Sequence, residues 1–164
     1  MKPRTQPLRD EHRALLPELA MLRVAADAIG SSAAMEHAMR AHRLLVRHLL
    51  PHMAAEEIVL YPAMNRLAER DVTATLLRDH DEIRRYATQI ERASLDPQGS
   101  SANDLRAALY GLDAIIHLHL ANEELFYPLL DLQLDDAAAL TIITAMQQAK
   151  QAKHASSPGS HALP

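Results

Sequence analysis

At 164 residues and 48% hydrophobic, the chain carries apolar material for one domain with its own core, but at 3% aromatic that core must be built from Leu, Ala, Ile, Val and Met. The absence of Cys excludes disulfides, thiolate ligands and cysteine nucleophiles, and it suits a reducing compartment. A net charge of −4 gives no basic field for nucleic acid or an anionic membrane. No apolar run reaches the ~18–20 residues that cross a bilayer, and residues 1–7 contain no apolar leader, so a cytoplasmic protein is expected.

Residues 1–7 read as an N-terminal extension. A first helix is predicted from Leu8 to about Ile29, with an apolar stripe at Leu8, Leu15, Leu16, Leu19, Leu22 and Ala26 that holds His12 on its buried side. Pro17 lies inside it and predicts a kink; Gly30-Ser31-Ser32 ends it. The second helix is predicted from about Ala33 to Leu67, bent at Pro51 and disturbed again at Pro62. A third, about Val72 to Ala93, carries Leu76, Leu77, His80, Ile83, Ala87 and Ile90 on one face. Ser94 to Asn103, with Asp96-Pro97-Gln98-Gly99-Ser100-Ser101, is the clearest loop. The fourth helix runs from about Asp104 to Leu130, and Asp135-Asp136 caps a short fifth to about Lys150, apolar at Leu140, Ile143 and Met146. Residues 152–164 read as a disordered tail. The expected fold is all-α: an up-down-up-down four-helix bundle spanning 8–151, made of tandem hairpins at about 8–68 and 72–131 plus the fifth helix.

One stretch occurs twice. His52-Met-Ala-Ala-Glu56-Glu57-Ile-Val-Leu-Tyr61-Pro62 has its counterpart in His119-Leu-Ala-Asn-Glu123-Glu124-Leu-Phe-Tyr127-Pro128. With about 3.6 residues per turn, His and the first Glu of each copy stack on one helical face, while the second Glu is rotated by about 100°. The repeat extends upstream: His12 precedes His52 by 40 residues, and His80 precedes His119 by 39. Each hairpin thus offers a lone His on its first helix and His-x-x-x-Glu on its second. In an antiparallel bundle His12, His52, Glu56, His80, His119 and Glu123 converge, and burying them without a cation costs several kcal/mol. Imidazole nitrogen and carboxylate oxygen suit Fe, with Mn or Zn as substitutes. The simplest partition pairs His12 with His52 and His80 with His119, both Glu bridging two metals.

The other polar residues read more modestly. His48 stands one turn before His52, placed either as an outer group that gates or backs the site or, the favoured reading, as a rim residue. His117 points away from His119; His37 and His42 sit on the outer end of the second helix, and His154 and His161 in the tail. Tyr61 and Tyr127 are placed either to donate near the metals or to pack the bundle end. Glu57 and Glu124 are expected outside the ligand set. Arg84 either reaches water or holds a carboxylate in place.

His12, His52-x-x-x-Glu56, His80 and His119-x-x-x-Glu123, with Glu-Glu and Tyr-Pro after both long motifs, resemble the hemerythrin-like (HHE cation-binding) domain over about residues 8–130. The resemblance implies a four-helix bundle around a non-haem di-iron centre, oxo- or hydroxo-bridged, that meets dioxygen, peroxide or nitric oxide. The oxygen-carrying hemerythrins have His-x-x-x-His on the third helix, where this chain has His80 and Arg84; they end in His-x-x-x-x-Asp, where it has His119-x-x-x-Glu123. The pattern here resembles the branch linked to iron sensing, peroxide handling or nitrosative stress. No residue stands out as a separate general acid or nucleophile, so peroxide- or nitric-oxide-consuming oxidoreductase, ligand sensor and dioxygen carrier all remain open. The expected partners are the small ligand and a redox partner the sequence does not name, with the chain a monomer or small homo-oligomer.

Overall fold

The computed structural model describes residues 2–96 and 101–156. Helix α1 spans Gln6–Ala28 and runs on through Pro17. It starts earlier than its apolar stripe predicts because a distant carboxylate caps it: Asp131 accepts from the Thr5 backbone N–H at 2.7 Å and from its hydroxyl at 3.0 Å. Gly30, at φ +102°, turns the chain out of α1 in a conformation that side chains with a Cβ resist.

Helix α2 covers residues 34–67 and contains two π-helical turns, Leu45–Leu49 and Glu56–Leu60. Each ends two residues before a proline. The Leu50 N–H closes on the Leu45 carbonyl ahead of Pro51, and the Tyr61 N–H on the Glu56 carbonyl ahead of Pro62. A proline cannot donate and its ring crowds the carbonyl four residues back, so widening the preceding turn lets the helix continue. The bends expected at Pro51 and Pro62 are realised as these π turns.

Helix α3 is Ala74–Leu95 and α4 is Ala102–Glu124, the latter capped by Ser101, whose Oγ accepts from the Asp104 N–H at 3.0 Å. The loop expected over Ser94–Asn103 is shorter, and its centre lies outside the described residues. A turn at Leu125-Phe126 breaks the predicted fourth helix, and a short α5, Tyr127–Gln133, resumes at Tyr127-Pro128. Helix α6, Asp136–Ser156, is not short: it has 21 residues and continues through residues 152–156, read as tail. No stop signal interrupts its Ala- and Gln-rich sequence. His154 and His161 lie outside the residues whose side chains are described.

The four long helices pack as predicted, α1 against α2 and α4, and α3 against α4 and α2, while α6 lies across the middle of α2. Two apolar clusters fill the bundle. The larger runs through Leu19, Leu22, Leu45, Leu49, Ile83, Ile90, Leu109, Leu112 and Ile116. The smaller holds Leu8, Leu60, Tyr61, Met64, Leu76, Tyr127, Leu130 and Met146. Leu16, Leu77 and Leu140, predicted inward, sit at stripe edges and are exposed. Among the described residues there is no strand, and no helix is long and apolar enough to cross a membrane.

Candidate metal centre

A polar layer separates the two apolar clusters. On α1 His12 follows Leu8 of the smaller cluster and precedes Leu19 of the larger; on α3 His80 lies likewise between Leu76 and Ile83. On α2 and α4 the two His-x-x-x-Glu pairs enter the same layer. All six predicted residues are brought together there, with His12, His52, His80 and His119 at most 4% exposed and Glu56 and Glu123 at 0%.

Glu56 is the hub. Its Oε1 stands 2.6 Å from His52 Nε2 and 3.8 Å from His12 Nε2, and its Oε2 stands 3.2 Å from His80 Nε2. His80 and His119 meet through their Nε2 atoms at 3.2 Å. Two groups of three donors that can each hold an ion result, His12–His52–Glu56 and Glu56–His80–His119, sharing Glu56. Glu123 faces both pairs from the other side, Oε1 3.8 Å from His12 and Oε2 3.5 Å from His119.

A ring of outer carboxylates backs the imidazoles. Glu57 lies 2.7 Å from His80 Nδ1, and Glu124 lies 3.2 Å from His12 Nδ1. Glu11 faces His52 Nδ1 at 3.4 Å, and Asp79 faces His119 Nδ1 at 3.7 Å. The pattern is twofold: the second Glu of each long motif serves the lone His of the other hairpin, and the acid before each lone His serves a His of a long motif. A carboxylate only accepts, so on His12 and His80 it keeps the proton at Nδ1 and turns the Nε2 lone pair inward. Glu57 and Glu124, expected outside the ligand set, stand on the Nδ1 side of the imidazoles, as do Glu11 and Asp79, which the sequence reading does not single out. Their signal was a shared position, one residue before each lone His.

Arg84 holds a carboxylate, pairing with Glu57 behind His80; Arg9 stands 3.5 Å from Glu124 in the matching place. Tyr61 and Tyr127 both reach the layer. Tyr61 OH lies 3.0 Å from His80 Nε2 and donates to Glu123 Oε2 at 3.4 Å. Tyr127 OH lies 3.2 Å from His12 Nε2 and donates to Glu123 Oε1 at 2.8 Å. His48 stays at the rim, half exposed, with Nδ1 3.9 Å from Glu18. His117 is half exposed and bonds the Asp113 carbonyl at 2.8 Å, away from the layer.

Charge within the layer is uneven. Burial alone lowers the His52 pKa, but Glu56 and Glu11 outweigh it and lift the value to about 10. Burial alone raises Glu56, yet the His52 charge and the surrounding imidazoles hold it well below the usual carboxylate range. Glu123 moves the other way, pushed well up by burial and then by repulsion from Glu56. Burial takes His119 down to about 3, with its neighbouring imidazoles adding to the fall against the pull of Glu56.

The donor set fits cations. Both Glu56 oxygens and His52 Nε2 are buried without a well-aligned hydrogen-bond partner, an arrangement that costs several kcal/mol unless a cation compensates it. The 3.2 Å between His80 and His119 Nε2 matches the ~3 Å expected of two neighbouring imidazole ligands on one ion. A model of the hemerythrin HHE cation binding domain matches residues 5–130. The chain belongs to this family. No curated protein and no solved structure matches it. For this hemerythrin-family chain, metal-ion binding is therefore both the family's property and the chemistry its buried His and Glu groups suit.

Proposed function

We propose that the chain binds two iron ions, one held by His12 and His52 and the other by His80 and His119, with Glu56 and Glu123 bridging. We infer further that the centre binds or reduces a small ligand, dioxygen, peroxide or nitric oxide, in iron, oxidative or nitrosative homeostasis. The observation that carries this reading is Glu56: a fully buried carboxylate with each oxygen directed at a different His pair and neither well hydrogen-bonded. Its chemistry asks for two cations. Iron in such a site supplies a redox couple and a Lewis acid for the incoming ligand.

The chain's own residues supply the rest. Glu57 and Glu124 fix the Nδ1 protons of His80 and His12, which sets the direction of the Nε2 lone pairs and raises their basicity. Arg84 in turn holds Glu57. Tyr61 and Tyr127 stay protonated, because burial and the nearby carboxylates push both phenols far up, and they keep two buried protons beside Glu123. Apolar clusters flank the layer on either side.

Metal analysis and optical spectra of protein made in iron-supplemented cells, followed by assays of peroxide loss and nitric oxide consumption, test this. About two iron ions per chain with turnover of either substrate assigns an oxidoreductase. Stoichiometric ligand binding without turnover assigns a sensor or carrier. A chain that takes up no metal overturns the reading.

A further inference from the structure

A cleft of about 360 Å³ leads from the surface to His52. Two of its walls come from the bundle, with Glu11 on α1 and His48 on α2; the third comes from α6, with Gln147, Lys150 and Gln151. The family match ends at residue 130, so α6 (Asp136–Ser156) lies wholly beyond it and still forms one side of the approach to the centre. Its hold has two parts. Met146, one turn before Lys150, is 1% exposed in the smaller apolar cluster, with Ile142, Ile143 and Ala149 packed beside it. Lys150 then reaches α1, its Nζ 2.6 Å from Glu11 Oε1, while the other oxygen of Glu11 faces His52 Nδ1 at 3.4 Å. The two side chains are only 20% and 28% exposed, so solvent screens this pair less than an open surface pair.

We propose that α6 is a gate on the centre and Lys150 its latch. With Lys150 on Glu11, α6 stands against the cleft and narrows the approach to His52; parting that contact widens it for metal ions and small ligands. Lys150 is a positioning residue here, acting on His52 through Glu11. The flexible four-carbon stem of a lysine can swing to solvent without moving backbone, which suits a latch. The inference rests on the metal-centre reading given above.

The test uses the full-length chain as wild type, Lys150→Met and Lys150→Arg. Iron-loaded protein is mixed with a strong chelator to time iron transfer, and backbone amide exchange over residues 136–151 is followed before loading. Lys150→Met should transfer iron faster by about threefold or more and exchange faster in α6, with Lys150→Arg restoring both. Wild-type transfer in Lys150→Met overturns the gate, whether or not α6 exchanges faster. Wild-type protein that takes up no iron overturns the centre itself, a different failure.

Discussion

The two His-x-x-x-Glu-Glu repeats share their letters but not their geometry, and the difference is one residue. From Glu123 to Tyr127 is four residues, and across the turn at Leu125-Phe126 Tyr127 comes back to bond its own Glu. From Glu56 to Tyr61 is five, which in a continuous α-helix places the tyrosine about 140° away. The π turn over Glu56–Leu60 absorbs the extra residue and swings Tyr61 back toward the layer, but onto Glu123 rather than Glu56. Both phenols therefore serve Glu123, and neither serves Glu56. One carboxylate is bonded by two tyrosines; its twin meets only imidazoles, between two His pairs. A repeat that differs by one residue in length has thus put its two carboxylates in different surroundings, Glu123 beside two phenols and Glu56 between two His pairs.

This contrast can be broken most severely at Glu56. Glu56→Gln should abolish stoichiometric metal uptake, because both donor groups lose a member, whereas Glu123→Gln should weaken it by about 10–100-fold and leave measurable binding. Metal content and a titration of each variant check this; equal losses in the two would erase the distinction. A smaller effect sharpens the same point. Tyr127→Phe, removing a 2.8 Å bond to Glu123, should cost about 1–2 kcal/mol, and Tyr61→Phe, removing one at 3.4 Å, should cost less.

The smallest prediction concerns pH. His52 and Lys150 hold Glu11 down at about 2 from an ordinary 4.5, against burial, which raises it. A depressed carboxyl contributes stability that is fully present above the ordinary value and lost as pH falls toward the folded one. Between pH 4.5 and 2 wild type should therefore lose stability that Glu11→Gln does not lose, read as a flatter dependence of the denaturation midpoint on pH.

Most of the layer was legible because helical spacing is local. His52 and Glu56, and His119 and Glu123, share faces by four-residue spacing alone, and the buried stripes around His12 and His80 bring the lone imidazoles inward. The outer ring was not legible. Glu11 and Asp79 each serve a His on a different helix, a pairing that exists only once α1 meets α2 and α3 meets α4. The crossing of Tyr61 to Glu123 was readable only in part: the one-residue mismatch and Pro62 mark a disturbed turn, but not where the phenol lands. The length of α6 escaped because residues 152–156 lack apolar periodicity while still favouring helix.

Anomalous diffraction at the iron edge, on crystals of iron-loaded protein, tests the central claim most directly. The account predicts two peaks about 3.5–4 Å apart, one beside His12 and His52 and the other beside His80 and His119, with Glu56 between them. A single peak, or iron bound away from Glu56, would contradict it.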